Sequence, residues 1–124
     1  MVFYAGIDGG GSHTRALVAS ADGRLAALGR AGPGNPTTLG LAPAVAALHA
    51  AVADAWRQLP LGPQPLAAVF LGLAGINGVS RDALRTALAA GATWGADCRV
   101  ELDHDIRIAL AGGLAGRPGI AIIA

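Results

Sequence analysis

The feature of this 124-residue sequence that most constrains its fold is residues 8–14, an aspartate followed by three glycines, a serine, a histidine and a threonine. Residues 2–8 are apolar and β-prone, and residues 14–20 have the same character, so two strands are predicted to meet at this turn. A hairpin needs only one or two glycines, and three cost backbone entropy. Consecutive glycines do let backbone N–H groups approach an anion closely, in an anion-binding nest. The turn is therefore predicted to bind phosphate oxygens.

The side chains of the turn add to this prediction. Backbone contacts to phosphate are expected from Gly9, Gly10 and Gly11, and hydroxyl contacts from Ser12 and Thr14. Asp8, at the strand end, can hold Mg²⁺ through water, since Mg²⁺ prefers carboxylates and retained waters. A dinucleotide fingerprint is excluded because its turn opens a helix, whereas a strand follows this one. A Walker-type loop is excluded because it needs a lysine, and all nine basic residues are arginines.

The remaining patterns predict an α/β domain. A third strand is expected at residues 25–30, and a loop at 31–36 follows it, after which Thr37 or Thr38 would cap a helix. That helix has one buried face at helical spacing, formed by Leu41, Val45, Leu48, Val52 and Trp56. Further strands are predicted at 66–73, 98–102 and 119–124, and further helices after Ser80 and at 105–114. The order β-β-β-α-β-α-β-α-β predicts a mixed sheet with helices on its faces and 66–73 as a parallel central strand.

Composition excludes several classes of protein. Hydrophobic residues make up 53% and charged residues 14%, which excludes a disordered chain. The formal net charge of +1 gives no strong field to attract nucleic acid or a membrane. Cys98 is the single cysteine, so no internal disulfide and no cysteine-based metal site fit this chain, and Cys98 is expected to be a small buried hydrophobe. With no signal-like segment and no apolar run of about 20 residues, a cytoplasmic protein is predicted.

A second polar cluster, Asp103-His104-Asp105, stands where a predicted strand ends and a helix begins. Ligands gather at the carboxyl ends of strands in α/β sheets. Either aspartate alone could equally cap the helix N-terminus, but two carboxylates around a histidine exceed what capping requires. His104 is expected to be a surface or hydrogen-bonded side chain, and His49 a solvated one.

At four places the sequence resembles the BadF/BadG/BcrA/BcrD ATPase family, which includes N-acetylglucosamine kinase and glucosamine kinase. These places are residues 6–14 (GIDGGGSHT), 71–75 (LGLAG), His104-Asp105 followed by 109–113 (ALAGG), and 119–124 (GIAIIA). The resemblance implies a ribonuclease-H-like, actin-type ATPase fold. It spans the whole chain and stops one residue before that family's second phosphate loop. Residues 1–124 are therefore expected to be the amino-terminal domain, with the carboxy-terminal ATPase domain missing from this chain.

The resemblance also implies roles for individual residues. ATP and Mg²⁺ would be the cofactors, with His13 among the phosphate-binding residues where the family often has lysine or arginine. Asp105 would be the general base that accepts the proton of a sugar hydroxyl and would contact the sugar, and His104 replaces the usual asparagine before it. Asp103 would support Asp105 or cap the helix. Asn35 matches an asparagine that contacts the amino sugar, although a turn residue before proline is an equal alternative.

Four functions are consistent with these features to different degrees. The leading hypothesis is an ATP-dependent kinase of glucosamine or N-acetylglucosamine, expected to be a homodimer with no nucleic-acid or membrane partner. The second is an ATPase that activates a partner such as a 2-hydroxyacyl-CoA dehydratase. A nuclease of the same fold would need more carboxylates around two metals, and Glu101 is the only glutamate. A sugar-sensing repressor would need a DNA-binding segment, and commonly a zinc-binding cysteine cluster, and neither is present.

Overall fold

The computed structural model describes residues 1–90, 94–95 and 97–103, which form one sheet with helices packed on it. The strands are β1 (Phe3–Gly9), β2 (Thr14–Ser20), β3 (Ala26–Ala31), β4 (Leu66–Leu73) and β5 (Arg99–Asp103). The helices are α1 (Pro36–Leu39), α2 (Leu41–Arg57) and α3 (Arg81–Ala90), with a short 3₁₀ helix at Ile76–Gly78. The predicted helix at 105–114 and strand at 119–124 lie outside the described residues.

The sheet is mixed, as the sequence predicts. Its strand order is β3-β2-β1-β4-β5. The first three strands form antiparallel hairpins, whereas β4 runs parallel to both β1 and β5. The β1–β4 and β4–β5 connections each carry helices, because a parallel connection must cross from one end of the sheet to the other. The carboxyl ends of β1, β4 and β5 consequently lie at one edge of the sheet.

The core lies between one face of the sheet and helices α2 and α3. Strand β1 alternates strictly, with Phe3, Ala5 and Ile7 buried, because successive side chains of a strand point to opposite faces. Phe3 packs edge-on against Trp56 of α2, with ring centroids 5.1 Å apart. Leu84 and Leu88 of α3 are fully buried. The Ser80 hydroxyl accepts a hydrogen bond from the Ala83 N–H at 3.2 Å, as a helix cap does.

The segment after β3 differs from the prediction. Neither Thr37 nor Thr38 caps the helix, because both lie inside α1. The cap is Asn35, whose side-chain oxygen accepts a hydrogen bond from the Thr37 N–H at 2.9 Å. Gly40, with φ of 87°, then interrupts the helical path. The single predicted helix is therefore two helices, α1 and α2, joined at a glycine in a conformation that other residues rarely adopt.

The prediction that His49 is solvated is wrong. His49 is half-buried on α2, its ring centroid lies 4.9 Å from that of Trp94, and its Nε2 atom is buried without a hydrogen-bond partner. Removal from water disfavours the charged form and lowers the pKa of His49, and hydrogen bonding to the Leu88 backbone opposes that shift only in part. Cys98 is only partly buried, just before β5 rather than within a strand.

Within the described part of the chain, no helix has the length and apolar character needed to cross a membrane.

Candidate functional site

The turn between β1 and β2 is a tight hairpin whose tip is open to solvent. β1 ends at Gly9, β2 begins at Thr14, and the Gly10 N–H donates to the His13 carbonyl at 2.8 Å. Gly11, Ser12 and His13 are exposed. A Cβ at Gly11 would meet no atom within 4 Å. The three residues of the tip are therefore accessible to a ligand from the solvent.

Gly9 is needed for space, and none of the three glycines of this turn is needed for a left-handed backbone. None of the three has φ in the left-handed region, which among described glycines occurs at Gly23, Gly40, Gly75 and Gly95. A Cβ at Gly9 would come within 2.6 Å of Leu73 Cδ2 and 3.2 Å of the Gly34 carbonyl oxygen. A left-handed nest is therefore absent from the described conformation, and Gly9 allows neighbouring chain segments to pack closely.

Thr14 occupies a different position from the one predicted. Its side chain is fully buried, and its hydroxyl donates to the Gly32 carbonyl at 2.8 Å. Because a hydroxyl has one proton to donate, that proton is committed inside the protein. Thr14 thus holds the loop after β3 rather than facing the open tip.

Two aspartates lie at the edge of the sheet where the parallel strands have their carboxyl ends. Asp8 of β1 pairs in register with Gly72 of β4, and Gly72 pairs with Asp103 of β5. Neighbouring strands are about 4.8 Å apart, so the backbones of the two aspartates are about 10 Å apart. Register partners in a sheet project to the same face, and Gly72 between them has no side chain. Both aspartates are half-buried, which leaves a shallow polar surface beside the hairpin.

Arginines continue this row on the other side of Asp8. Arg15 pairs with Asp8 across the hairpin, and Arg30 pairs with Arg15. Both arginines are exposed. Across the sheet, these register partners therefore run from two arginines to two aspartates. The pair Arg15 and Asp8 has opposite charges, and such a cross-strand pair stabilises a sheet. Asp105 and His104, the other predicted members of the site, lie outside the described residues.

Asn35 lies where two loops meet. The neighbouring Gly34 N–H donates to the Gly10 carbonyl at 3.1 Å, which joins this segment to the hairpin. On the other side, a Cβ at Gly75 would overlap the Asn35 amide, so the loop after β4 packs directly on that side chain. Asn35 caps α1 as described above, which is the turn role that the sequence left open, and it does so next to the predicted phosphate hairpin.

Sequence reasoning missed the close packing between the hairpin and residues 32–34. The signal available was the Gly32-Pro33-Gly34 run, which indicated only a loop. The sequence also gave no indication of a cleft between α3 and β5, with a volume of about 470 Å³. It is lined by Arg85, Trp94, Cys98 and four apolar or glycine neighbours. Burial raises the pKa of the Cys98 thiol there, so the reactive thiolate is disfavoured. No group of three or more metal-binding side chains occurs among the described residues.

Comparison with known proteins gives similarities of two kinds, to a family and to solved structures. The sequence model of the BadF/BadG/BcrA/BcrD ATPase family matches residues 5–124. Among solved structures, the chain resembles a protein from Chromobacterium violaceum described as a candidate N-acetylglucosamine kinase, with a TM-score of 0.72 and 27% sequence identity. That alignment covers 96% of this chain but 40% of the other, so the chain spans less than half the length of this relative. No curated protein sequence matches the chain.

Proposed function

Because the chain belongs to the BadF/BadG/BcrA/BcrD ATPase family, we propose that it provides the phosphate-binding part of an ATP-dependent kinase that acts on an amino sugar, N-acetylglucosamine or glucosamine. The observation that carries this proposal is the β1–β2 hairpin, whose open tip lies next to Asp8 and to Asn35. Candidate donors for phosphate, a carboxylate and a polar side chain that would contact the acceptor lie near one edge of the sheet.

The hairpin would hold the nucleotide phosphates. Gly11, Ser12 and His13 lie at its exposed tip, where backbone N–H groups and the Ser12 hydroxyl are able to donate to phosphate oxygens. Gly9 and Gly10 would shape this tip through their packing and the Gly10–His13 hydrogen bond. The phosphates would be oriented by preorganised donors, and in phosphoryl transfer such positioning supplies most of the catalysis.

The donors beside the hairpin fit a hydrated magnesium ion. Proteins bind Mg²⁺ through one or two carboxylates with retained water and substrate phosphates. Asp8 offers one carboxylate at the end of β1, and Asp103 stands two strands away on the same face. Bound Mg²⁺ supplies neutralisation of the charge that develops on the phosphates. Asp8 would orient this ion through water.

Asp105 is proposed as the general base. In the sequence it follows Asp103, the last residue of β5, by two positions, and β5 ends at the edge where β1 and β4 also end. A carboxylate there would accept the proton of the attacking sugar hydroxyl. Asn35 would contact the amino sugar with polar atoms not used in capping α1, since an amide carries two N–H donors besides its oxygen.

A second domain is part of this proposal. We expect a carboxy-terminal ATPase domain to supply the adenine site and the rest of the phosphate clamp, because the C. violaceum relative is more than twice as long as the part aligned here. A homodimer is also expected. Tyr4, Leu17, Leu28 and Phe70 are exposed on the sheet face opposite α2, and light scattering of the intact protein would show whether a dimer forms.

Kinase and partner-activating ATPase are separated by one assay. ADP release by the intact protein is measured with Mg²⁺ and ATP across a panel of amino sugars and their non-amino counterparts. The kinase proposal expects N-acetylglucosamine or glucosamine to stimulate ADP release, and expects Asp105→Asn to reduce the stimulated rate by about 10²–10⁴-fold. Asparagine keeps the size and the helix-capping ability of aspartate, so folding is preserved.

The outcome of this assay decides between the two candidate functions. If ADP release is indifferent to every amino sugar, the activating-ATPase function replaces the kinase. If a sugar stimulates release but Asp105→Asn remains active, the kinase stands and Asp103 becomes the candidate base.

A further inference from the structure

The segment that follows β3 and includes the first two residues of α1, residues 32–37, is attached to two loops at once, and we call it the bridging segment. At its inner end the buried Thr14 hydroxyl donates to the Gly32 carbonyl at 2.8 Å. The Gly34 N–H donates in the other direction, to the Gly10 carbonyl at 3.1 Å. A Cβ at Gly34 would lie 2.5 Å from Thr14 Oγ1 and 3.3 Å from the Gly9 Cα. The segment therefore packs backbone to backbone on the phosphate hairpin.

At its outer end the bridging segment is attached to the loop after β4. The Thr37 hydroxyl donates to the Gly75 carbonyl at 2.6 Å. The Asn35 side chain packs against the Cα of Gly75, which has φ of 72°, and a Cβ at Gly78 would overlap the Thr37 hydroxyl. The side-chain oxygen of Asn35 is held by the Thr37 N–H. The two threonines thus stand at the two ends of the segment, with Asn35 between them.

From these contacts we infer that Thr14 is a positioning residue: its hydroxyl holds the bridging segment on the phosphate hairpin and thereby sets the position of Asn35. Thr37 acts in the same way from the loop after β4. The hydroxyl of Thr14 is therefore not a phosphate ligand, although its place in the glycine-rich turn suggests one. The kinetic consequence rests on the proposed function, because it assumes that Asn35 contacts the sugar.

The kinetic test compares Thr14→Val, which removes the hydroxyl at nearly constant shape, with Thr14→Ser, which retains it. A single hydrogen bond contributes enough to change an equilibrium by about three- to tenfold. Thr14→Val in the intact protein should raise the KM for the amino sugar by about that factor, with the KM for ATP changed less than about twofold, and Thr14→Ser should stay close to wild type. Thr86→Val is the control, since the Thr86 hydroxyl donates to the Asp82 carbonyl within α3.

Two kinetic results would overturn the inference. One is a KM for ATP that rises in Thr14→Val while the KM for the sugar is unchanged, as expected of a phosphate ligand. The other is a Thr14→Ser variant no better than Thr14→Val, which would mean that shape and not the hydroxyl matters. Thr37→Val repeats the test at the outer end of the bridging segment, at an exposed position outside the core. It should also raise the KM for the sugar more than the KM for ATP.

A second measurement does not depend on the activity. Amide hydrogen exchange is followed at the Gly34 and Thr37 N–H groups, which bond to Gly10 and to Asn35, and at the Leu84 N–H of α3 as the reference. Thr14→Val should speed exchange at Gly34 and Thr37 by about three- to tenfold and leave Leu84 unchanged, because only the local opening becomes easier. Unchanged exchange at both groups, or equal acceleration at Leu84, contradicts the positioning role even in a protein without sugar-dependent turnover.

Discussion

At the scale of single residues, the hairpin between β1 and β2 divides into a packed part and an open part. Gly9 and Thr14 are buried, and their neighbours fill the space around them. Gly11, Ser12 and His13 are exposed at the tip. Substitutions in the packed part should act through the position of the loops, whereas those at the tip and at Asp8 should act on ligands directly.

Asp8 gives the sharpest test of the ligand side. Asp8→Ala should abolish Mg²⁺-dependent ATP turnover in the intact protein and leave the thermal unfolding midpoint close to wild type. The reason is that Asp8 stands on the open face at the end of β1, and the metal would lose its carboxylate. The measurement is ADP release as a function of Mg²⁺ concentration.

Asp82→Ala is the control for Asp8→Ala, since Asp82 is an exposed carboxylate in the first turn of α3. It should retain wild-type turnover. Near-normal turnover of Asp8→Ala at saturating Mg²⁺ would remove the metal role from Asp8.

His49 should make stability depend on pH. Its pKa in the folded protein lies below the ordinary 6.5 because burial disfavours the charged imidazole. In the unfolded chain it binds a proton at higher pH than in the folded protein, so unfolding takes up protons. Neutral His49 therefore contributes fully to the free energy of unfolding at pH values above its pKa in the unfolded chain. This contribution falls as the pH is lowered from 6.5 through the pKa of His49 in the folded protein.

The pH dependence is checked by denaturant unfolding at several values between about pH 7.5 and pH 5, the range in which histidine ordinarily titrates. Wild type should lose more stability over this range than His49→Leu, which keeps an apolar side chain against Trp94. Parallel pH profiles for the two proteins would mean that His49 is not desolvated in solution.

The sequence singled out candidate ligand-binding residues, whose roles stay predictions, but it could not predict how their side chains are oriented. Asp8 and the glycine turn stood out because their residue types and spacing suit phosphate. The burial of Thr14 depends on Gly32, 18 residues away, and the burial of His49 depends on Trp94 in a distant segment. Periodicity along a chain carries no information on such long-range contacts.

At the scale of elements, the strands were predicted most accurately. β2 and β4 begin and end where the sequence patterns predict, and β1, β3 and β5 are shifted by one residue. The alternation of apolar and polar residues and the turn residues are local signals, so strands can be predicted from them without knowledge of the fold. The break at Gly40 was missed because α1 is held by tertiary contacts of Asn35 and Thr37 with the loop after β4.

The contact between α2 and β3 depends on Gly29. A Cβ there would overlap the backbone of α2 at Ala51 and Ala55, and backbone atoms cannot move aside as a flexible side chain can. Gly29→Ala should therefore lower the free energy of unfolding by about 2–3 kcal/mol, the upper part of the range typical of overpacking. Urea denaturation measures the change.

Gly62→Ala is the matched control for Gly29→Ala. Gly62 lies in the connector before β4, where an added Cβ meets no atom within 4 Å. Its free energy of unfolding should change by less than about 1 kcal/mol. A loss of stability in Gly29→Ala no larger than that of Gly62→Ala would show that α2 does not pack on β3 as described.

At the scale of the whole molecule, the sheet order brings the ends of β1, β4 and β5 to one edge, and the β1–β2 hairpin and Asn35 lie at that edge. This arrangement follows from the parallel pairing of β1 with β4; the apolar run at residues 66–73 predicted a parallel central strand but not its partner. The register that aligns Asp8, Gly72 and Asp103 could not be predicted, because it depends on how strands far apart in the chain align.

The central claim is that the intact protein transfers a phosphoryl group from ATP to an amino sugar. The most direct measurement is mass spectrometry of the sugar after incubation with Mg²⁺ and ATP, compared with the ADP formed in the same reaction. The account predicts that N-acetylglucosamine or glucosamine gains one phosphoryl group, in an amount equal to the ADP, and that Asp8→Ala forms neither product. ADP that accumulates with phosphate free in solution and every amino sugar unmodified would contradict the claim.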